Sequence, residues 1–373
     1  MCASRSNHIA AFLFFCNFAS GNRLKSLTML TNDIDLALRE ATALKEKNQI
    51  FLVADEHTHT MCLPTIQQTL ALPEEQILVL PAGEETKDLA TVQEIWDFLI
   101  ARKATRHSIL LILGGGVLTD MAGFAAATFK RGLPFVNIPT TLLGAVDAAT
   151  GGKTGIDYKG LKNEIGLFIL PAQTIIYPPF LKTLPTNQFL SGYAEMLKHA
   201  LIASPLELSQ LLTFDLNNID QEVLAQLLSR SIDIKNYIVE QDPQEEGLRK
   251  TLNFGHTIGH ALESFSFHTD HPLLHGYAVL YGMIGELYLS VKLLGFPEKY
   301  LSQIVAIMRE YYGKPTGSCK DYDELIGLMQ HDKKNITPEE ISFTLLRNVG
   351  DCRLNQHTST EDIKEALDFL FNL

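Results

Sequence analysis

The chain has 373 residues, 46% of them hydrophobic and 20% charged, with glycine and proline near ordinary usage; this excludes disordered, collagen-like and coiled-coil classes, and the length suggests two or three domains. Thirty-one lysines and arginines stand against 43 aspartates and glutamates, a net charge of −12. With no basic run to offset that balance, neither nucleic acid nor an anionic membrane surface is expected as a partner.

The chain opens on a faint signal-peptide outline: Arg5, an apolar run from Ile9 to Phe18, then Ala19, Ser20 and Gly21. The run is too short to span a bilayer and is interrupted by Cys16 and Asn17, and Met29 sits where regular patterning begins. Residues 1–28 are therefore read as an extension and not as an export signal. The five cysteines are odd in number and scattered, without a C-x-x-C pair, which fits reduced thiols and a cytoplasmic location.

From Ile50 onward short apolar runs alternate with helical stretches. IFLVAD (50–55) precedes a helix near 60–71, QILVL (76–80) a helix near 88–103, and SILLILGGG (108–116) a helix from about Asp120 to Phe129; PFVNIPT (134–140) and TIIYP (174–178) follow. This alternation predicts a parallel sheet covered by helices. After Pro185 strand signals stop, and segments such as 222–241 place Val223, Leu224, Leu227, Leu228, Ile232 and Ile238 at helical spacing. The expected architecture is an α/β Rossmann-like domain over 29–180 and an all-α domain over 181–373, with a ligand cleft between them.

Three clusters carry candidate chemistry. LGGGVLTD (113–120) sets glycines between a buried strand and a helix, where backbone N–H groups can approach a pyrophosphate; the alternative is a plain tight turn. Asp55, ending its strand, suits a ribose hydroxyl or a helix N-cap. The stretch 140–166 holds Asp147, Lys153, Lys162 and Asn163 among glycines and small residues, a setting in which lysines converge on a phosphorylated or carboxylated ligand. In RKTLNFGHTIGHALE (249–263), Asn253, His256 and His260 are spaced 3 and 4, one stripe if helical, with Arg249 a turn earlier and His275 further on. Paired imidazoles with a third nearby suit a metal. Thr257 occupies the place of the glutamate in H-E-x-x-H, which argues against a zinc peptidase. Glu195 in GYAEMLKH is the candidate carboxylate ligand, with a surface ion pair to Lys198 as the other reading.

LGGGVLTDMAGFAAATFKRG, PTTLLGAVDAATGGKTGID, LKNEIG, AEMLKHALI, LNFGHTIGHALE, LLHG and HDKKN together resemble the successive signature blocks of 3-dehydroquinate synthase, in the same order, over about Asp55 to Lys334. The resemblance implies NAD in the N-terminal domain, one divalent metal, usually zinc with cobalt as the other option, and a homodimer. It also implies conversion of 3-deoxy-D-arabino-heptulosonate 7-phosphate to 3-dehydroquinate and phosphate. Block by block it assigns the metal to Glu195, His256 and His275, and leaves His260 as a catalytic residue, with Glu245, Lys153 and Arg249. Substrate contacts fall to Arg131, Asp147, Lys153, Asn163, Lys198, Lys235, Arg249, Asn253 and one of Lys333 and Lys334, with Lys334 preferred. NAD contacts fall to Asp55, Glu84 to Lys87, Gly115, Gly116, Val117, Asp120, Thr140, Thr141, Lys162, Phe180 and Thr183. The family commonly reads H-G-E where this chain has His275, Gly276 and Tyr277, so altered contacts behind the metal are expected there. The opening residues also do not match the usual first β-hairpin. A polyol dehydrogenase, another sugar-phosphate cyclase and an idle binding protein are the competing readings.

Overall fold

The computed structural model describes residues 27–43, 45–159, 161–269, 272–330 and 341–373. Apolar runs without polar alternation need a sheet covered on both faces, and the first half supplies one. Its strands are β1 (Leu27–Leu30), β2 (Ile50–Asp55), β3 (Ile77–Leu80), β4 (Ile109–Gly114), β5 (Phe135–Pro139) and, after a separate antiparallel hairpin of β6 (Lys153–Tyr158) and β7 (Leu161–Phe168), β8 (Gln173–Ile176). Six of them pair in the order β1-β8-β5-β4-β2-β3, all parallel.

The two-residue period of the strands decides which helices each side chain meets. Leu52, Ala54, Leu111 and Leu113 pack against Ala37, Leu38, Leu63 and Ile66 of α1 (Ile34–Thr42) and α3 (Leu63–Leu70), which follows the short α2 (Glu56–Met61). Phe51, Val53, Leu110 and Ile112 face the other way, onto Val92, Ile95, Leu99, Met121 and Ala122 of α4 (Leu89–Ala101) and α5 (Gly116–Thr128). Because β3 lies on one side of β2 while β4, β5, β8 and β1 continue on the other, the order reverses between β2 and β4. The carboxyl ends of strands at such a reversal are where open α/β sheets bind ligands.

The expected division after residue 28 falls inside β1, whose Leu27 and Thr28 pair with Gln173 and Thr174. Two apolar or β-branched residues before Met29 complete an edge strand, a signal too short to be read as a strand. A chain beginning at Met29 should therefore melt a few degrees below one beginning at residue 24, since losing half a strand costs about 1–2 kcal/mol. Equal melting temperatures by calorimetry would show that the pairing contributes nothing.

The second half is helical, with α6 (Thr186–Ala203), α7 (Pro205–Leu212), α8 (Gln221–Gln241), α9 (His256–Ser266), α10 (His275–Leu294), α11 (Glu298–Ile307), α12 (Tyr322–Gln330) and α13 (Thr360–Phe371). One addition departs from an all-α domain: β9 (Phe343–Asn348) and β10 (Asp351–Gln356) form an antiparallel hairpin. Phe343, Leu345 and Leu346 of β9 join the helical core, and the Leu346 N–H donates to Ser290 Oγ of α10 at 3.0 Å. Among the described residues α10 alone is long and apolar enough by composition to cross a membrane, but it is mostly buried at the centre of this half.

Candidate active site

At the reversal point, Asp55 closes β2 and the glycines after β4 open α5. Gly115 caps that helix without a side-chain acceptor for its first N–H groups, Val117 among them. A Cβ on Gly115 would approach Thr141 Cγ2 to 2.9 Å, and one on Gly116 would approach Ala148 Cβ to 2.9 Å. Only glycine fits, and the uncapped helix start suits a pyrophosphate. Asp55 is the N-cap of α2, accepting the Thr58 N–H at 2.8 Å; its other oxygen lies 3.3 Å from where a Cβ on Gly114 would stand, so the capping role and a place at the glycine turn coexist. Thr140 donates its N–H to the Gly114 carbonyl at 3.0 Å, and Thr141 Oγ1 accepts the Gly144 N–H at 3.0 Å. Lys87, almost fully buried, donates to Asp120 at 2.8 Å and to Asn163 Oδ1 at 2.7 Å. Burial works against its charge, but Asp120 and Glu84 more than offset that and raise it above the usual lysine value. Phe180 and Thr183 lie on the 3-10 turn Pro178–Thr183; Phe180 is packed into the core against Tyr177, at 5.0 Å between ring centres, and Thr183 donates to its carbonyl.

Across from this turn, a buried charge cluster joins the two halves. Asp147 sits on the π-helical turn Gly144–Ala148, an irregularity common at functional sites. Its Oδ1 accepts from Lys235 of α8 at 2.5 Å and lies 3.9 Å from Lys198 of α6. Burial would raise the Asp147 carboxyl, yet Lys235 and Lys198 hold it well below the ordinary range. Arg249 is 2% exposed, donates to the Gly151 carbonyl at 3.0 Å and the Pro243 carbonyl at 2.8 Å, and has a buried Nε with no partner. Gly151 is required there: its φ is +107, and a Cβ would stand 3.2 Å from the guanidinium and 3.4 Å from Lys235 Cε. Lys153 pairs with Glu245, which also accepts from Asn253 Nδ2 at 2.8 Å. Four cations thus converge, each held by a carboxylate or carbonyl.

Next to Lys198 lies Glu195, fully buried and ion-paired to it one helical turn away, not a surface pair. Its Oε1 is a buried oxygen without a hydrogen bond, 3.6 Å from His256 Nε2 and 3.5 Å from His275 Nε2. One ligand atom from each of the three residues falls within 4.8 Å of the others. Two imidazole nitrogens facing an orphaned buried carboxylate oxygen fit a divalent metal. The His260 ring centre lies 5.1 Å from that of His256 and 5.9 Å from that of His275, bordering this trio.

The stripe expected from Asn253 through His260 is broken. Arg249 and Asn253 belong to the 3-10 turn Leu248–Asn253, and α9 starts only at His256 after Gly255, whose φ is +80; a Cβ there would run into Met283 at 2.4 Å. Arg131 is exposed at the far end of α5, about 20 Å along the helix from Gly116, and does not join the cluster. Lys333 and Lys334 lie outside the described residues. Tyr277, at the position where the family commonly carries a glutamate, packs on Tyr312, at 4.8 Å between ring centres.

Two buried carboxylates escaped the sequence reading. Glu263 accepts from His275 Nδ1 at 3.1 Å; its place three residues after His260 was a readable signal. Glu286 of α10 accepts the N–H groups of Gly255 at 2.6 Å, Thr257 at 3.0 Å and Ile258 at 3.3 Å, capping α9 where it carries His256. No local pattern reveals that. Glu286→Gln should destabilise the fold by about 1–3 kcal/mol, because an amide N–H then opposes a backbone N–H; an unchanged denaturation midpoint would contradict the cap.

Comparison with known proteins bears on this geometry. The family model described as 3-dehydroquinate synthase N-terminal matches residues 77–191, and the one described as 3-dehydroquinate synthase C-terminal matches residues 192–335. A 3-dehydroquinate synthase of Parabacteroides distasonis is 47% identical over 341 residues, 91% of this chain and 96% of that protein. One of Sulfurovum sp. is 38% identical over 305 residues, covering 82% and 84%. Among solved structures, a 2-epi-5-epi-valiolone synthase from Streptomyces hygroscopicus subsp. jinggangensis, with NAD+ and Zn2+ bound, superposes with a TM-score of 0.83 at 26% identity, over 94% of this chain and 98% of that one. A glycerol dehydrogenase of Schizosaccharomyces pombe, with a TM-score of 0.62 at 14% identity over 94% and 91%, shares the fold.

Proposed function

The chain belongs to the 3-dehydroquinate synthase family, and from that premise we propose that it converts 3-deoxy-D-arabino-heptulosonate 7-phosphate to 3-dehydroquinate and phosphate, using NAD and one divalent metal, zinc foremost. The observation that carries this reading is the convergence of Lys153, Lys198, Lys235 and Arg249 beside the Glu195, His256 and His275 trio. A net acidic chain collects cations in one place for a ligand that is both phosphate and carboxylate.

When bound, NAD would accept a hydride and return it while the metal polarised the substrate hydroxyl, so that the overall reaction is redox-neutral. The chain's own groups do the rest. Arg249 and Lys153 orient the anionic ends of the substrate, and Glu245 fixes Lys153 and Asn253 for that task. Asp147 lies between Lys235 and Lys198 and offsets the repulsion between their charges. Phosphate leaves by elimination next to the transient ketone, and the substrate's own phosphate can take the proton, so no strongly basic side chain is needed. His260 stands beside the metal trio as the proton-exchanging group for ring opening and aldol closure. In this reading residues from β1 to about 180 form the nucleotide lobe, the remainder the metal and substrate lobe, and the enzyme is a cytoplasmic homodimer.

The testing experiment follows inorganic phosphate released from the heptulosonate phosphate, identifies the carbocyclic product, and monitors NADH. Phosphate release without net NADH is expected. A polyol dehydrogenase shares the fold and the glycine turn, but its uncharged substrate gives the four cations nothing to bind; stoichiometric NAD reduction by a polyol would favour it.

A further inference from the structure

Lys162 stands on β7 in the first half, yet its ammonium reaches two carboxylates from different parts of the fold: Glu84, after β3, at 3.2 Å, and Glu263 of α9 at 2.7 Å. The ring of Phe267 lies 4.8 Å from the same nitrogen, which narrows its freedom further. Glu263 is 3% exposed and divides its oxygens, Oε1 to Lys162 and Oε2 to Nδ1 of His275. The other nitrogen of His275 faces Glu195. A continuous path therefore runs from the loop at Glu84, through Lys162 and Glu263, to an imidazole of the trio. Lys162 is also followed directly by Asn163, which is bonded to Lys87 and through it to Asp120 at the glycine turn.

We propose that Glu263 is a positioning residue that sets the ring plane and tautomer of His275, and that Lys162 ties this residue to the nucleotide side, so that NAD occupancy and metal affinity are coupled through one ammonium group. A carboxylate on the far nitrogen of a ligating imidazole fixes the proton there and leaves the near nitrogen's lone pair for the ion. Movement of Lys162 on nucleotide binding changes the hold on Glu263, and by linkage the metal must change nucleotide affinity by the same factor. The proposal rests on the metal reading above.

The test measures zinc affinity of the full-length protein by competition with a chromophoric chelator, with and without saturating NAD. In the unmodified protein NAD is expected to shift the zinc Kd by at least about fivefold. In Lys162→Met, at saturating NAD, the shift should fall below about twofold, and Lys162→Arg should restore part of it. Glu263→Gln should weaken zinc binding at least about tenfold, change the absorption spectrum of the cobalt-substituted protein, and remove the NAD-dependent shift at saturating NAD. An undiminished NAD-dependent shift in Lys162→Met or in Glu263→Gln overturns the proposal, as does an unmodified protein whose zinc Kd ignores NAD. His275→Ala separates the two readings. Zinc retained in that variant defeats the metal reading itself, whereas zinc lost there, with the coupling intact in Lys162→Met, defeats only this proposal.

Discussion

Replacing His275 with alanine is expected to remove bound metal and turnover together. The trio offers two imidazoles and one carboxylate, and a three-ligand site that leaves positions open for substrate oxygens has no ligand to spare. Glu195 would keep only His256, while its own charge remains paired to Lys198 in the interior. Metal content by atomic absorption should fall from about one per chain to background, and phosphate release should fall at least about a thousandfold, as the polarising charge is lost. The pH dependence has a definite sign. Burial works against a charge on His275, but Glu263 and Glu195 around it push its pKa up to about 10, so a metal binding there must displace a proton. Metal affinity should therefore weaken as the pH falls from 8 to 6, with proton uptake on metal release. Metal and activity persisting in His275→Ala, or an affinity independent of pH, would refute the assignment.

Much of this site was legible because its residues fall into short ordered blocks. The glycines at 114–116 read correctly as a strand-to-helix turn, since a buried run followed by glycine leaves few other geometries. Glu195 and Lys198 read as neighbours from spacing alone, but whether that pair lay on the surface or inside depends on the packing of α6, where the residues on either side of them are buried as well. Helical periodicity failed at Asn253, because Gly255 turns the chain between two segments whose spacing still looks continuous. The hairpin of β9 and β10 was hidden by its length and by surrounding helices. Lys162 was placed by its block with the nucleotide residues, and the sequence gives no hint that it reaches Glu263, 101 positions away. Contacts of that range are fixed by how the halves pack, and a local pattern carries no record of them.

Lys153→Met and Arg249→Met should separate a cyclising lyase from a plain dehydrogenase. In the proposed reading neither side chain takes part in hydride transfer as such, and both orient the doubly anionic substrate for elimination and ring closure. Lys153 is half-exposed, at 52% of its side chain, and is ion-paired with Glu245, so its loss leaves the fold intact. Arg249 is buried and braces the Gly151 and Pro243 carbonyls; Arg249→Lys accompanies it, keeping the charge without the forked geometry. Phosphate release should drop about a hundredfold to a thousandfold in the methionine variants, with a smaller loss in Arg249→Lys. NAD affinity by titration should stay within about twofold, because the glycine turn and the Lys87 to Asp120 pair that flank it are untouched. The two measurements on each variant answer different questions, one about the substrate's anionic groups and one about the nucleotide lobe. Undiminished phosphate release in both methionine variants would sink the synthase reading, because the convergence of cations would then have no ligand to explain it.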